Sequence, residues 1–230
     1  MAFIITLIVL LLAFGGAIFL MKYMKNQKLW NAVFCLFVFG LYYACVLVVF
    51  LDVGANDWNF LNTLPIANVS PFTFTLAPII LIMPNVLKKP FHLLISLLSV
   101  GMFLSPVISC IFNASRNYVF EIQFLFDYLA HFLVSLWGIY LVKSNQVNLD
   151  KISAIISGSI MLFVSIAMLI LNLILDTSFF GLSLKGKHNI YNVVLVENSY
   201  LSALIFFLGL TAVLALGYAL CKLIKKYSKN

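Results

Sequence analysis

From Glu121 to Val142 the chain is apolar for long enough to cross a bilayer, yet Gln123, Asp127, His131 and Ser135 punctuate it at intervals of four. On a helix each step of four advances by about 40°, so the set winds over about 120° and forms a single polar face. Phe124, Leu125, Phe126, Phe132, Leu133, Val134 and Leu136 fill much of the remainder. A carboxylate in hydrocarbon costs roughly 2.5–3.5 kcal/mol even on insertion scales. The face bearing Asp127 must therefore turn toward a helix bundle, a partner or water, with the other apolar runs as walls around it.

Those runs are numerous. Of 230 residues, 64% are hydrophobic and 9% charged, and the mean hydropathy is +1.12; soluble domains are nearer 45–50% apolar and about 25% charged. The composition excludes an ordinary soluble domain and gives an integral membrane protein. Net charge +7 and a pI near 9.2 would suit nucleic acid, but the basic residues sit in short tracts between apolar runs, where they report membrane orientation. Nucleic acid is excluded as a partner. Cys35, Cys45, Cys110 and Cys221 lie within or at the ends of apolar runs with no CxxC spacing and no clustered His or carboxylate, so they read as small apolar residues. Neither a metal nor a cofactor is called for.

Seven runs are long enough to span, at 2–21, 30–51, 64–86, 91–112, 122–142, 152–175 and 200–221, giving an all-α polytopic membrane protein in a single transmembrane domain. The first is expected as a permanent span and not a cleaved leader: no Lys or Arg precedes it, and Lys22, Lys25 and Lys28 follow where small residues should mark a cleavage site. The third is interrupted by Pro65, Pro71, Pro78 and Pro84 and carries Asn68, Ser70, Thr73 and Thr75. It is expected as a broken helix, which lipid does not tolerate unless protein or a wet cavity satisfies the backbone. Ser96 and Ser99 in the fourth run, and Ala154, Ser157, Gly158 and Ser159 in the sixth, are expected to let a neighbouring helix approach closely. Residues 176–199 form a long, mildly polar loop.

The charges test the layout. With the N-terminus outside, Lys22, Lys25, Lys28, Lys88, Lys89, Lys143, Lys151, Lys222, Lys225, Lys226 and Lys229 fall inside, and only Arg116, Lys185 and Lys187 fall outside. That asymmetry favours seven spans, N-out and C-in, with the terminal lysines anchoring to anionic lipid.

Topology then sets depth. At 1.5 Å per residue Asp127 lies ~8 Å and His131 ~14 Å from the outer end of the fifth span, while Asn68 and Ser70 lie ~6–9 Å into the third. The two polar layers are expected to share an outward-facing pocket. Asp127, one turn before His131, is placed to accept from one ring nitrogen and raise the basicity of the other. Ser70 is the candidate nucleophile by depth, Asn68 an oxyanion donor, and Gln123 and Ser135 further substrate-binding positions. A structural role competes: hydroxyls and amides commonly tie membrane helices together.

Leu64-Pro65-Ile66-Ala67-Asn68-Val69-Ser70, Phe126-Asp127-Tyr128-Leu129-Ala130-His131 and seven spans in 230 residues together resemble the YwaF-type bacterial integral membrane proteins, themselves similar to an animal multi-span acyltransferase of ether-phospholipid remodelling. In that family the Leu-Pro segment continues to a cysteine paired functionally with the histidine. Val69 occupies the cysteine position here, so the resemblance implies a lipid- or acyl-handling membrane protein that has lost the thiol, with Ser70 as its replacement. Partners would be membrane lipids, with a membrane-protein partner or a second copy of the chain also compatible, and the location the bacterial cytoplasmic membrane. Two other classes fit the same residues. One is a small-solute or proton-coupled transporter in which Asp127 and His131 titrate; the other is a non-catalytic membrane subunit of a complex.

Overall fold

The computed structural model describes residues 15–54, 69–85, 87–99, 122–175, 179–182, 188–190, 194–196 and 199–228, with isolated helical positions at 8, 12 and 13. Among them are seven helical stretches. Helix α1 covers residues 15–20 and passes into a 3-10 turn, Met21–Tyr23; α2 is Gln27–Val53, α3 Val69–Ile82, α4 residues 87–99, α5 Ile122–Lys143, α6 Lys151–Leu175 and α7 Ser199–Tyr227. Three are long and apolar enough to cross a membrane, over Gln27–Asp52, Lys151–Ile174 and Ala203–Tyr227. They associate the chain with a bilayer. Their outer surfaces suit it: Leu36, Phe37 and Leu47 of α2, Ile155, Phe163 and Ile174 of α6, and Leu204 and Leu208 of α7 are exposed.

Local chemistry sets the helix ends. Asn26 caps α2 by accepting from the Leu29 N–H at 3.1 Å, and Gly54 closes it with φ +81° and an N–H to the Phe50 carbonyl at 2.9 Å. Helix α5 ends in a Schellman pair: Gln146 N–H reaches Leu141 O at 2.9 Å and Asn145 N–H reaches Val142 O at 3.2 Å, with Asn145 left-handed at φ 57°. Asp150 then starts α6, accepting from the Ser153 N–H at 2.7 Å and the Ser153 hydroxyl at 2.9 Å, bonds that hold its carboxyl below the usual carboxylate range.

Helix α2 packs most extensively on α5, and less so on α3. At one end of the α2–α5 seam, buried Asn31 accepts from Trp137 Nε1 at 3.1 Å and donates from Nδ2 to Gln146 Oε1 at 2.6 Å. Gln27 Nε2 donates to Ser144 O and the Tyr140 hydroxyl to Met24 O, both at 3.0 Å, so the α5–α6 turn is stitched to the start of α2. Helix α4 is the hub. Every residue from His92 to Ser99 is buried, because glycines on two neighbours let main chains close in. A Cβ on Gly138 of α5 would strike the Ser99 hydroxyl and come within 3.2 Å of Ser96 Cα, and one on Gly217 of α7 would strike Leu97 O. Cys221 Sγ lies 3.7 Å from Ser96 O, and the Ser157 hydroxyl of α6 donates to Pro90 O at 2.9 Å.

Four expectations are revised. Among its described prolines, the third run is interrupted at one and not at the others: α3 is continuous from Val69 to Ile82, with Pro71 in the first turn, where no N–H is needed, and Pro78 tolerated inside, and the helix stops at Met83 and Pro84. The Cys35 thiol of α2 donates to Ala77 O at 3.3 Å beside that proline. At fourteen residues, α3 measures about 21 Å, short of a ~30 Å hydrocarbon core. The small-residue cluster of the sixth run makes its contact through Ser157, whereas a Cβ at Gly158 meets nothing within 4 Å among the described residues. The 176–199 loop holds a 3-10 turn, Phe179–Gly181, and an antiparallel hairpin, His188–Ile190 with Val194–Val196, pairing Asn189 with Leu195 and packing on α7. Finally, α7 runs on to Tyr227, carrying Lys222, Lys225 and Lys226 as helical residues.

Candidate functional site

Ser70 lies in the first turn of α3 and His131 midway along α5. Their side chains meet, His131 Nε2 to Ser70 Oγ at 3.0 Å. Two amino-acid patterns produce this. Phe74, one turn beyond Ser70 and on the same face of α3, packs edge-on against the imidazole with centroids 4.9 Å apart and planes at 89°. Phe74 in turn rests on Tyr42 of α2 at 5.3 Å. The ring is thus gripped between three helices, with 6% of His131 exposed.

Behind it, Ser135 occupies the next turn of α5. Its hydroxyl lies 2.8 Å from His131 O and 2.7 Å from Ser99 O, so its one proton is shared by two main-chain carbonyls and ties α5 to α4. That is the helix-linking role open to a buried hydroxyl, and it leaves Ser135 no donor for a substrate. Thr73 similarly returns its proton to Val69 O at 2.8 Å.

Asp127 and Gln123 belong to α5, but their side chains lie outside the described residues, as does Asn68 altogether. The pocket expected between the third and fifth runs falls in part on those same positions and so lies in part outside the described residues. Among the described residues, Ser70 and His131 are therefore the two expected site residues whose side chains meet, while Ser135 touches His131 through its main-chain carbonyl. Among the described residues no three His, Cys, Asp or Glu side chains cluster as a metal site would require. Cys35, Cys45 and Cys221 are buried.

A serine hydroxyl within hydrogen-bond reach of an imidazole is the arrangement of a base and its nucleophile, provided the hydroxyl donates and Nε2 accepts. The reverse sense, with Nε2–H donating to Oγ, would give a helix tie alone. Burial of the imidazole, against the Phe74 ring, strengthens either.

The partners at the other end of α5 carry little sequence signal. Trp137 reads as one more apolar residue of a span, and Asn31 as a polar residue near a span end. A search for pairs of polar residues in neighbouring runs at equal distance from the Lys-rich loops would have paired Asn31 with the α5–α6 turn, much as equal depth paired Ser70 with the polar stripe.

Fold and site define a class: a predominantly helical, membrane-associated chain with a part-buried hydroxyl–imidazole pair between a short proline-containing helix and a longer one. Compared with known proteins, it matches no family model, no curated protein and no solved structure.

Proposed function

We propose that this chain is a polytopic membrane protein of YwaF type, seven spans with N-terminus out and C-terminus in, that transfers or hydrolyses acyl groups of lipids in the bacterial cytoplasmic membrane. The 3.0 Å contact of His131 Nε2 with Ser70 Oγ supports this most directly. The hydroxyl stands one residue after Val69, where the resembling family has its thiol, and next to the histidine with which that thiol is paired. Seven helical stretches and eleven lysines falling on one side support the layout.

In this reaction His131 Nε2 takes the Ser70 proton as Oγ attacks an ester carbonyl. The tetrahedral intermediate collapses by breaking the ester C–O bond, and the departing alcohol oxygen receives the proton back from His131. A second hydroxyl, of lipid or water, then accepts the acyl group from Ser70 by the reverse steps. Asp127 orients the imidazole through its other nitrogen. Asn68 and Gln123 hold the substrate's polar groups, and the edge of Phe74 keeps the ring in the plane that Oγ needs.

The test is acyl exchange between labelled phospholipids in vesicles containing the purified chain, read together with fluorophosphonate labelling of Ser70. Ser70→Ala and His131→Ala should each lower exchange by about 10²–10⁴-fold, and His131→Ala should abolish the labelling. Undiminished exchange in the His131 variant would overturn the catalytic assignment.

A further inference from the structure

At the opposite end of the molecule, roughly 18 Å along α5 from His131 to its last residue, the α5–α6 connection and the last turns of α7 enclose an open recess. Its volume is about 600 Å³, and Asn148, Leu149, Asp150, Lys222, Lys225 and Lys226 line it. We propose that this recess binds the phosphate of an anionic phospholipid head group.

Three observations converge. First, the lysines are helical residues and not a loose tail, and their i, i+3, i+4 spacing confines them to about 100° of α7. Like charges so spaced repel. The helix dipole favours cations near this end, but it does not explain why all three turn toward one concavity. Second, the carboxylate in the recess does not neutralise them. Asp150 caps α6, with its two oxygens 2.7 Å from the Ser153 N–H and 2.9 Å from the Ser153 hydroxyl, and its single charge cannot balance three ammonium groups. With three ammonium groups and one carboxylate the lining keeps a positive balance. Third, the recess is built. The Tyr218 hydroxyl donates to Leu149 O at 3.1 Å, which pins the floor, and Leu149 is buried. The Lys222 ammonium sits 4.5 Å over the Tyr218 ring, which holds that charge at the rim, while Lys225 is half-buried.

The surroundings choose a lipid over free phosphate. The first turns of α6 expose Ile152, Ile155 and Ile156, and α7 exposes Leu216 and Leu223. Within helices long and apolar enough to cross a bilayer, these residues give an acyl chain an apolar surface beside the place where its head group would lie. A recess at the membrane edge with cations above and branched aliphatics below matches an amphiphile with an anionic head. The site is separate from Ser70 and His131 and does not depend on their chemistry.

The test uses the full chain extracted from bilayers of equal phosphatidylglycerol and phosphatidylcholine, with retained lipid counted by native mass spectrometry. Phosphatidylglycerol should be retained in preference. Each lysine near the head group is worth about fivefold, so Lys222→Gln/Lys225→Gln/Lys226→Gln should lower its retention by up to about a hundredfold. The charge-matched control Lys22→Gln/Lys25→Gln/Lys28→Gln should stay within about twofold of the parent, because none of those lysines lines the recess, whereas a general electrostatic attraction would weaken both variants alike. All six side chains but half-buried Lys225 are exposed, and unchanged helical circular dichroism verifies the fold; Lys225→Gln alone, expected at about fivefold, serves if the triple variant misfolds. Equal loss in both triple variants, equal retention of the two lipids by the parent, or displacement of the lipid by inorganic phosphate would overturn the proposal.

Discussion

Gly217→Ala is expected to destabilise the chain, although alanine is intrinsically the better helix former by about 0.8–1.0 kcal/mol. The reason lies in what the added methyl meets. Leu97 of α4 presents its carbonyl oxygen inside any tolerable contact, its carbonyl carbon at 2.9 Å and its Cα at 3.0 Å, against an ordinary minimum near 3.4 Å. All three are main-chain atoms in a helix buried from His92 to Ser99, so no rotamer change relieves the clash and α7 must back away from α4. Overpacking of this kind costs about 1–3 kcal/mol, and retreat also loosens the Cys221 contact with Ser96 O. For a chain of this length each kcal/mol moves Tm by roughly 2–4 °C, so Tm should fall by roughly 2–12 °C. Two substitutions calibrate it. Gly138→Ala meets the Ser99 hydroxyl, which can rotate, and Ser96 Cα at 3.2 Å, which must give only slightly; its loss should be smaller. Gly40→Ala, with nothing within 4 Å among the described residues, should match or exceed the parent. Melting of the detergent-solubilised chain, followed by circular dichroism, ranks the three. A Gly217→Ala protein at least as stable as Gly40→Ala would refute the close α4–α7 approach.

Two further outcomes follow from single residues. Asn172 clamps the turn after α6, donating to Phe179 O at 2.9 Å and to Leu182 O, and accepting from the Phe179 N–H at 2.8 Å; the turn presses Phe180, 3% exposed and left-handed at φ 59°, between Phe72 and Phe206. Asn172→Ala should cost about 1–3 kcal/mol and speed amide exchange at Phe179 and Leu182, and unchanged exchange there would count against the clamp. The Asp150 carboxyl lies below its usual 3.8 through bonds from Ser153, so the cap is fully present above about pH 4 and is lost as pH falls through the lowered value. Protection of the Ser153 amide, taken relative to its intrinsic exchange rate at each pH, should therefore fall on acidification through that point in the parent but not in Asp150→Asn, and identical profiles would remove the cap from the account.

How much of this was legible in the chain can be followed residue by residue. Ser70 and His131 were reachable because distance along a helix is linear in residue number; two polar layers counted from the same side could be matched with no tertiary knowledge. Helices α2, α5 and α6 likewise fell close to the expected runs, since apolar length is a one-dimensional signal. The prolines act unequally: Pro71 costs nothing in a first turn and Pro78 is tolerated inside α3, whereas the helix stops just before Pro84.

Composition and spacing alone thus determined the helical, membrane-associated character and the meeting of Ser70 with His131, because each depends on local order and on transfer free energy. Tertiary structure decided which faces meet. Gly138 and Gly217 look like any other span glycine until α4 is seen pressed against both, and Gly158, in an apparently richer small-residue cluster, meets nothing among the described residues. Packing is a relation between surfaces far apart in the chain. The choice of Gly217 over Gly158, and of Asn31 as the partner of Trp137 and Gln146, therefore exists only once the helices are in place.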